Sequence, residues 1–149
     1  VRIEVPGIPA PQGSKRHVGN GIMVEASAAL RPWRDAVTWH ARRAHGPRPP
    51  MGGAVQVTML FVFPRPRSHY GTGRNAGTLK PGAPVFHTSK PDIDKLIRAI
   101  LDALTQAGAV KDDCIIAAAG AKKIYGARPG CRITVESLEG ELWHWDGTG

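Results

Sequence analysis

Between Pro91 and Gly108 the apolar residues Ile93, Leu96, Ile97, Ile100, Leu101 and Leu104 recur at spacings of three and four. That period belongs to an α-helix and gathers them on one stripe about four turns long. Proline suits a helix start and glycine the position past its end, so these two residues bracket it. Such a stripe demands a surface to cover it. Residues 54–63, "AVQVTMLFVF", supply one: they alternate at first and then turn wholly apolar, as a central strand does. Residues 1–8 alternate Val1, Ile3 and Val5 with Arg2 and Glu4, a half-buried strand. Residues 114–125 and 131–138 read as two more strands, and the turn signal "GARPG" between them predicts a hairpin. Trp33, Val37, Ala41 and Ala44 predict a first helix from about 32 to 45, with Pro32 in its first turn. The expected architecture is α+β: a single domain over residues 1–149, a mixed β-sheet packed by two helices. With 149 residues the core is modest, and a homodimer would enlarge the buried surface.

The remainder is loop. "PQGSKRHVGNG", from Pro11, is polar and carries Lys15 and Arg16. Residues 64–88 form a long basic loop in which Arg65, Arg67, Arg74 and Lys80 meet no acid. A loop of that length is functional or mobile, the alternative being a disordered surface excursion. Tyr70 and Phe86 are placed in it to stack on bases. The 140–149 tail is polar apart from Leu142, Trp143 and Trp145, and neither repeats nor a second domain are evident.

A net charge of +8 and a pI near 10.1 predict attraction to polyanions, nucleic acid above all, rather than mere solubility. Cys114 and Cys131 stand apart, which argues against a disulfide scaffold and for a reducing cytoplasm. No Cys-x-x-Cys or His-x-x-x-His spacing offers a zinc site. The apolar runs are too short for a membrane span, and the N-terminus reads as a strand instead of a signal peptide. A soluble cytoplasmic protein with no membrane partner and no small-molecule cofactor is expected.

From Ala36 to Pro91 there is no acidic residue; then Asp92, Asp94, Asp102, Asp112 and Asp113 arrive together. Residues two apart on a helix face different ways. Asp92 and Asp94 converge only if Asp92 lies in the capping region and Asp94 in the first turn. Either alone is well explained as a cap or a dipole partner. The pair, with Asp112–Asp113 beyond the helix, points to a metal site. Magnesium prefers oxygen ligands and keeps waters, so two or three carboxylates and a phosphate oxygen suffice. A cation lets clustered acids sit against a phosphodiester that basic residues attract, which is what metal-dependent cleavage of nucleic acid requires. Arg98, one turn after Asp94, either holds a phosphate or pairs with Asp94 or Asp102. Asp102, on the order of 12 Å up the helix, is too far to share the metal and reads as structural. Asp113 follows the far end of a helix roughly 20 Å long. Either its strand carries it back, or a two-fold dimer with antiparallel helices sets one helix start beside the partner's end.

These pieces resemble the RusA family of Holliday-junction resolvases. "KPDIDKLIRAILDAL" and "VKDD" stand at the family's spacing between the Asp-x-Asp pair and the second acid of the Asp-Asp pair. "PQGSKRH" followed by "MVEASAALRPWR" is similar to phage-type members. The resemblance implies a homodimeric, magnesium-dependent endonuclease, with manganese able to substitute, that cuts four-way DNA junctions by paired nicks. It places the family's three essential aspartates on Asp92, Asp94 and Asp113 and its catalytic lysine on Arg98. Its DNA-contacting turn falls on Gln12, Gly13, Ser14 and Lys15. Two departures stand out: Lys95 where the family usually has Asn, and Ile115 where Gln is frequent. Arg98 keeps the positive charge but cannot act as an acid, so it replaces the lysine only if that lysine clamps a phosphate. Lys15, Arg16, Arg65, Arg67, Arg74, Lys80, Lys90 and Lys95 complete the expected DNA-binding set. The rival expectations are a related nuclease acting on flaps or other branches, and a non-catalytic basic DNA-binding protein.

Overall fold

The computed structural model describes residues 1–13, 15–17, 23–25 and 28–148, the side chains of 15–17 and 23–25 excepted. The elements run β1 (Arg2–Pro6), β2 (Lys15–His17), β3 (Met23–Glu25), α1 (Leu30–His45), β4 (Val55–Phe63), α2 (Ile93–Gln106), β5 (Ile116–Tyr125) and β6 (Gly130–Ser137). A four-stranded mixed sheet takes the order β1-β6-β4-β5. β4 is central, antiparallel to β6 and parallel to β5. A parallel neighbour needs a crossover, and the segment from Pro64 through α2 provides it.

Alternation along the strands builds the core. Val55, Val57, Met59, Phe61 and Phe63 of β4, Ile133 and Val135 of β6 and Ile3 and Val5 of β1 are buried. They meet Leu30, Trp33, Val37 and Ala41 of α1 and Leu96, Ala99, Ile100, Ala103 and Leu104 of α2 in one cluster. On the opposite sheet face Glu4 bridges Arg2 and Arg132, beside the half-buried Leu60 and Val62 of β4. Gly108, at φ +74°, ends α2 in the left-handed conformation glycine favours, and Ala109 N–H donates to Leu104 O at 3.1 Å.

Two expectations are corrected. β5 and β6 do not form a hairpin, because β4 lies between them. An apolar central strand needs ladder partners on both edges; the α2 crossover supplies one and β6 the other. The link 126–129 only has to step over one strand, roughly 10 Å at the usual strand spacing, which four residues span easily. Gly126 N–H meets Phe63 O at 3.0 Å on the way. Second, the polar segment after Pro11 holds a small antiparallel ribbon, Lys15 opposite Glu25 and His17 opposite Met23. The 64–88 segment, expected as a long loop, carries short turns at Arg67–His69 and Gly73–Asn75, the second enclosed by a Tyr70–Leu79 bridge, and the returning chain lies along β5, with Phe86 bridging Ile124. Among the described residues no helix is long and apolar enough to cross a membrane.

Candidate active site

Asp92 is the N-cap of α2, with φ −66° and ψ 142°, and Asp94 stands in its first turn. An N-cap aspartate ordinarily turns its carboxylate onto the helix N–H groups. Asp92 makes no such bond. Its Oδ2 instead lies 3.6 Å from Lys95 Nζ, a largely solvated pair of little energetic weight. The capping explanation therefore fails for Asp92, whose carboxylate turns to Lys95 and solvent instead of the helix N–H groups. Both acids line one depression of about 640 Å³, with Lys90, Lys122, Lys123, His87 and Phe86 around them.

The entry to α2 is anchored from the sheet. Lys123 Nζ donates to Ser89 O at 2.7 Å and to Pro91 O at 2.6 Å. From the other side, Gln12 N–H donates to Lys95 O at 3.0 Å. That bond places Gln12 and Gly13 beside the first turn of α2. Ser14 lies outside the described residues, as do the side chains of Lys15 and Arg16.

Asp113 is elsewhere. It opens a single 3-10 turn, Asp113–Ile115, whose cap Asp112 accepts from Cys114 N–H at 2.9 Å. That bond holds the Asp112 carboxyl below its ordinary range. The Asp113 carboxyl is raised, first by its contact with Asp112 and further by the charges of Asp112 and Asp102. Asp113 thus lies near enough to Asp102 to feel its charge. Among the described residues no three His, Cys, Asp or Glu side chains gather closely enough to hold a metal. Asp92 and Asp94 come together within one chain; Asp113 does not join them.

Arg98 is exposed and forms no ion pair with Asp94 or Asp102 among the described residues, so its guanidinium is available. Arg67, Arg74, Lys80 and Lys90 are exposed. Arg65 is engaged within the fold: Nη1 donates to Pro84 O at 2.6 Å, and the guanidinium lies 5.4 Å from the Tyr125 ring centre. These contacts tie the excursion to Tyr125 of β5. Lys122, Lys123 and His87 border the acids although sequence reasoning had not singled them out. The adjacent lysines in "AKKIY" were the available signal, because a strand rarely places two charges in succession without a use for each face.

Strand order, helix-borne acids and basic surround now stand together, and the family comparison agrees with them. The family model described as Endodeoxyribonuclease RusA matches residues 5–136. The chain belongs to this family. The RusA match runs from β1 to β6 and takes in both helices, the excursion and all five central aspartates. It leaves out the tryptophan-bearing tail. No curated protein matches the chain. RusA proteins are endodeoxyribonucleases, hydrolases of phosphodiester bonds within DNA.

Proposed function

We propose that this RusA protein is a magnesium-dependent, structure-selective endonuclease that resolves four-way DNA junctions as a homodimer, by paired nicks in opposed strands. The observation that carries the reading is the N-cap Asp92 whose carboxylate leaves the helix uncapped and joins Asp94 in a lysine-rimmed depression. Carboxylates are the hard oxygen donors that magnesium takes, and the set fits that ion, or manganese in its place. When bound, the ion supplies Lewis acidity and neutralises charge on the phosphodiester. Asp92 and Asp94 hold it, Arg98 clamps the phosphate from one turn further along α2, and Lys90 and Lys122 draw the backbone in. Arg67, Arg74, Lys80 and the residues Gln12, Gly13, Ser14, Lys15 and Arg16 track duplex phosphates, positioning the DNA with no sequence code.

Asp113 enters from a second copy. Ile97 and Leu101 of α2 are only half-buried, and Ile93 on the same edge is 38% exposed. This apolar edge, beside the small-residue stretch Ala117–Ala121 of β5, is the surface on which two α2 helices would pack antiparallel. Each helix start then meets the other copy's Asp102–Asp113 end, and both sites complete together.

Cleavage of synthetic four-way, flap and linear DNA with and without magnesium tests the reading, using the parent protein, D92N and D113N. Paired nicks restricted to the four-way substrate, with both variants bound but inert, are expected. Undiminished cutting by either variant would overturn the site, and preference for flaps would reassign the substrate.

A further inference from the structure

His87 is held more rigidly than its place at the end of a long excursion suggests. Its backbone N–H donates to Lys123 O at 3.0 Å, and its neighbour Phe86 bridges Ile124. The imidazole stacks on Phe63 at 4.2 Å between centroids, tilted by 24°, with the Tyr125 ring 5.0 Å away on another side. Nδ1 faces inward: it has no solvent contact and no hydrogen-bond partner among the described residues. Nevertheless the ring reaches the surface at a decisive point. It lines both the acid-bearing depression and the adjoining apolar groove of about 740 Å³ formed by Ile8, Pro9, Pro64 and Pro91, and Asp92 lines both as well.

The burial of Nδ1 fixes the tautomer. A neutral imidazole has one N–H and one lone pair. An N–H sealed in an apolar slot is the costlier of the two to leave unpaired, because orphaned donors are rarer than under-satisfied acceptors. The proton therefore resides on Nε2. Desolvation first, and the Lys123 ammonium second, lower the His87 pKa and keep the ring neutral. The same geometry argues against Nε2 as a metal ligand. A ligating histidine presents its lone pair and donates its other N–H to a partner, and none faces Nδ1. What the ring offers at its open end is one donor on a rigid mount.

We propose that His87 is a substrate-contacting residue whose Nε2–H donates to a non-bridging oxygen of the phosphodiester held at Asp92 and Asp94. The assignment rests on the nuclease reading above. A neutral donor adds what the lysines do not: a fixed direction, so that the phosphate has one orientation and not merely an attractive field. Arg98 and His87 then grip the phosphate from two elements, the helix and the sheet-edge segment.

Three substitutions separate donor from packing. H87F keeps a ring against Phe63 and Tyr125 and removes the donor. H87Q restores an N–H at about the reach of Nε2, and H87N reaches only as far as Nδ1. Single-turnover cleavage of a four-way junction with magnesium is measured beside junction binding without metal and thermal melting. H87F is expected to cut about a hundredfold more slowly, the order seen when one positioned donor is lost, with unchanged binding and melting. H87Q is expected to recover most of the rate and H87N little. A parent that cuts while H87F cuts equally fast sinks the His87 assignment alone; a folded parent that cuts no DNA sinks the nuclease reading with it. Should H87F fail to fold, equal rates for H87Q and H87N overturn the assignment.

Discussion

The ammonium of Lys123 donates to the carbonyl of Pro91 across 2.6 Å, so the edge of the sheet holds the residue just before Asp92. The second bond, to Ser89 O, makes the grip two-point. K123M removes both while keeping most of the aliphatic stem. It is expected to destabilise the fold by about 1–2 kcal/mol. Junction cleavage should drop more than stability explains, because the α2 entry loses its anchor. Thermal melting and cleavage by the folded fraction, measured together, check this.

A site shared between copies makes an unusual prediction for mixtures. D92N and D113N are each expected to be inactive alone. In a mixed dimer one site carries both lesions and the other neither, so co-refolded D92N and D113N should recover single-strand nicking of a four-way junction. Continued silence of a mixture shown to be dimeric would refute sharing.

Arg98 tests whether charge or proton transfer is needed one turn after Asp94. An arginine cannot serve as an acid at neutral pH. R98A is expected to slow cleavage about a hundredfold, as loss of a charge clamp does. R98K should keep most of the rate, with no new ionisation in its pH profile below pH 9.

Gly130 approaches β1 so closely that an added Cβ would lie 2.5 Å from the Val5 carbonyl oxygen. Backbone cannot yield there without disturbing the β1–β6 ladder, in which Pro6 faces Gly130. G130A is expected to cost about 1–3 kcal/mol in chemical denaturation, the range for overpacking. Per folded molecule, activity should be unchanged.

Glu4 connects acid stability to the outer face of the sheet. Its carboxyl is lowered from an ordinary 4.5, first by the bond from Arg132 and then by Arg2. A carboxyl with a lowered folded pKa favours folding above its unfolded pKa, and that contribution fades as pH falls through the folded value. The stability difference between parent and E4Q should therefore be level above about pH 5 and shrink below 4.5. It should stay under about 1 kcal/mol, because the pair is largely solvated. Denaturation from pH 3 to 7 measures it.

Local patterns in the sequence foretold α2 closely: the helix bracketed by Pro91 and Gly108 runs over Ile93–Gln106. Stripe, opening proline and closing glycine are all local, and tertiary packing agrees with them. The central place of β4 was equally readable from a run that alternates at first and ends wholly apolar. The hairpin failed because a turn signal records where the chain reverses, not which strand it reverses beside. Asp92 and Asp94 were legible as a pair, whereas the position of Asp113 depends on how far α2 carries the chain. His87 and Lys123 acquire meaning only through the bonds between the excursion and β5, contacts between residues that no sequence window joins.

The excursion from Pro64 returns to the sheet before α2 begins, fastened through Val85 O to Tyr125 N–H and through His87 N–H to Lys123 O. Its exposed arginines and the acids are thereby joined through one edge of the sheet. Under the nuclease reading, a duplex arm seated on Arg67 and Arg74 sets by its own length where the strand is cut. Incisions should fall at one constant offset from the branch point, whatever bases occupy the arm.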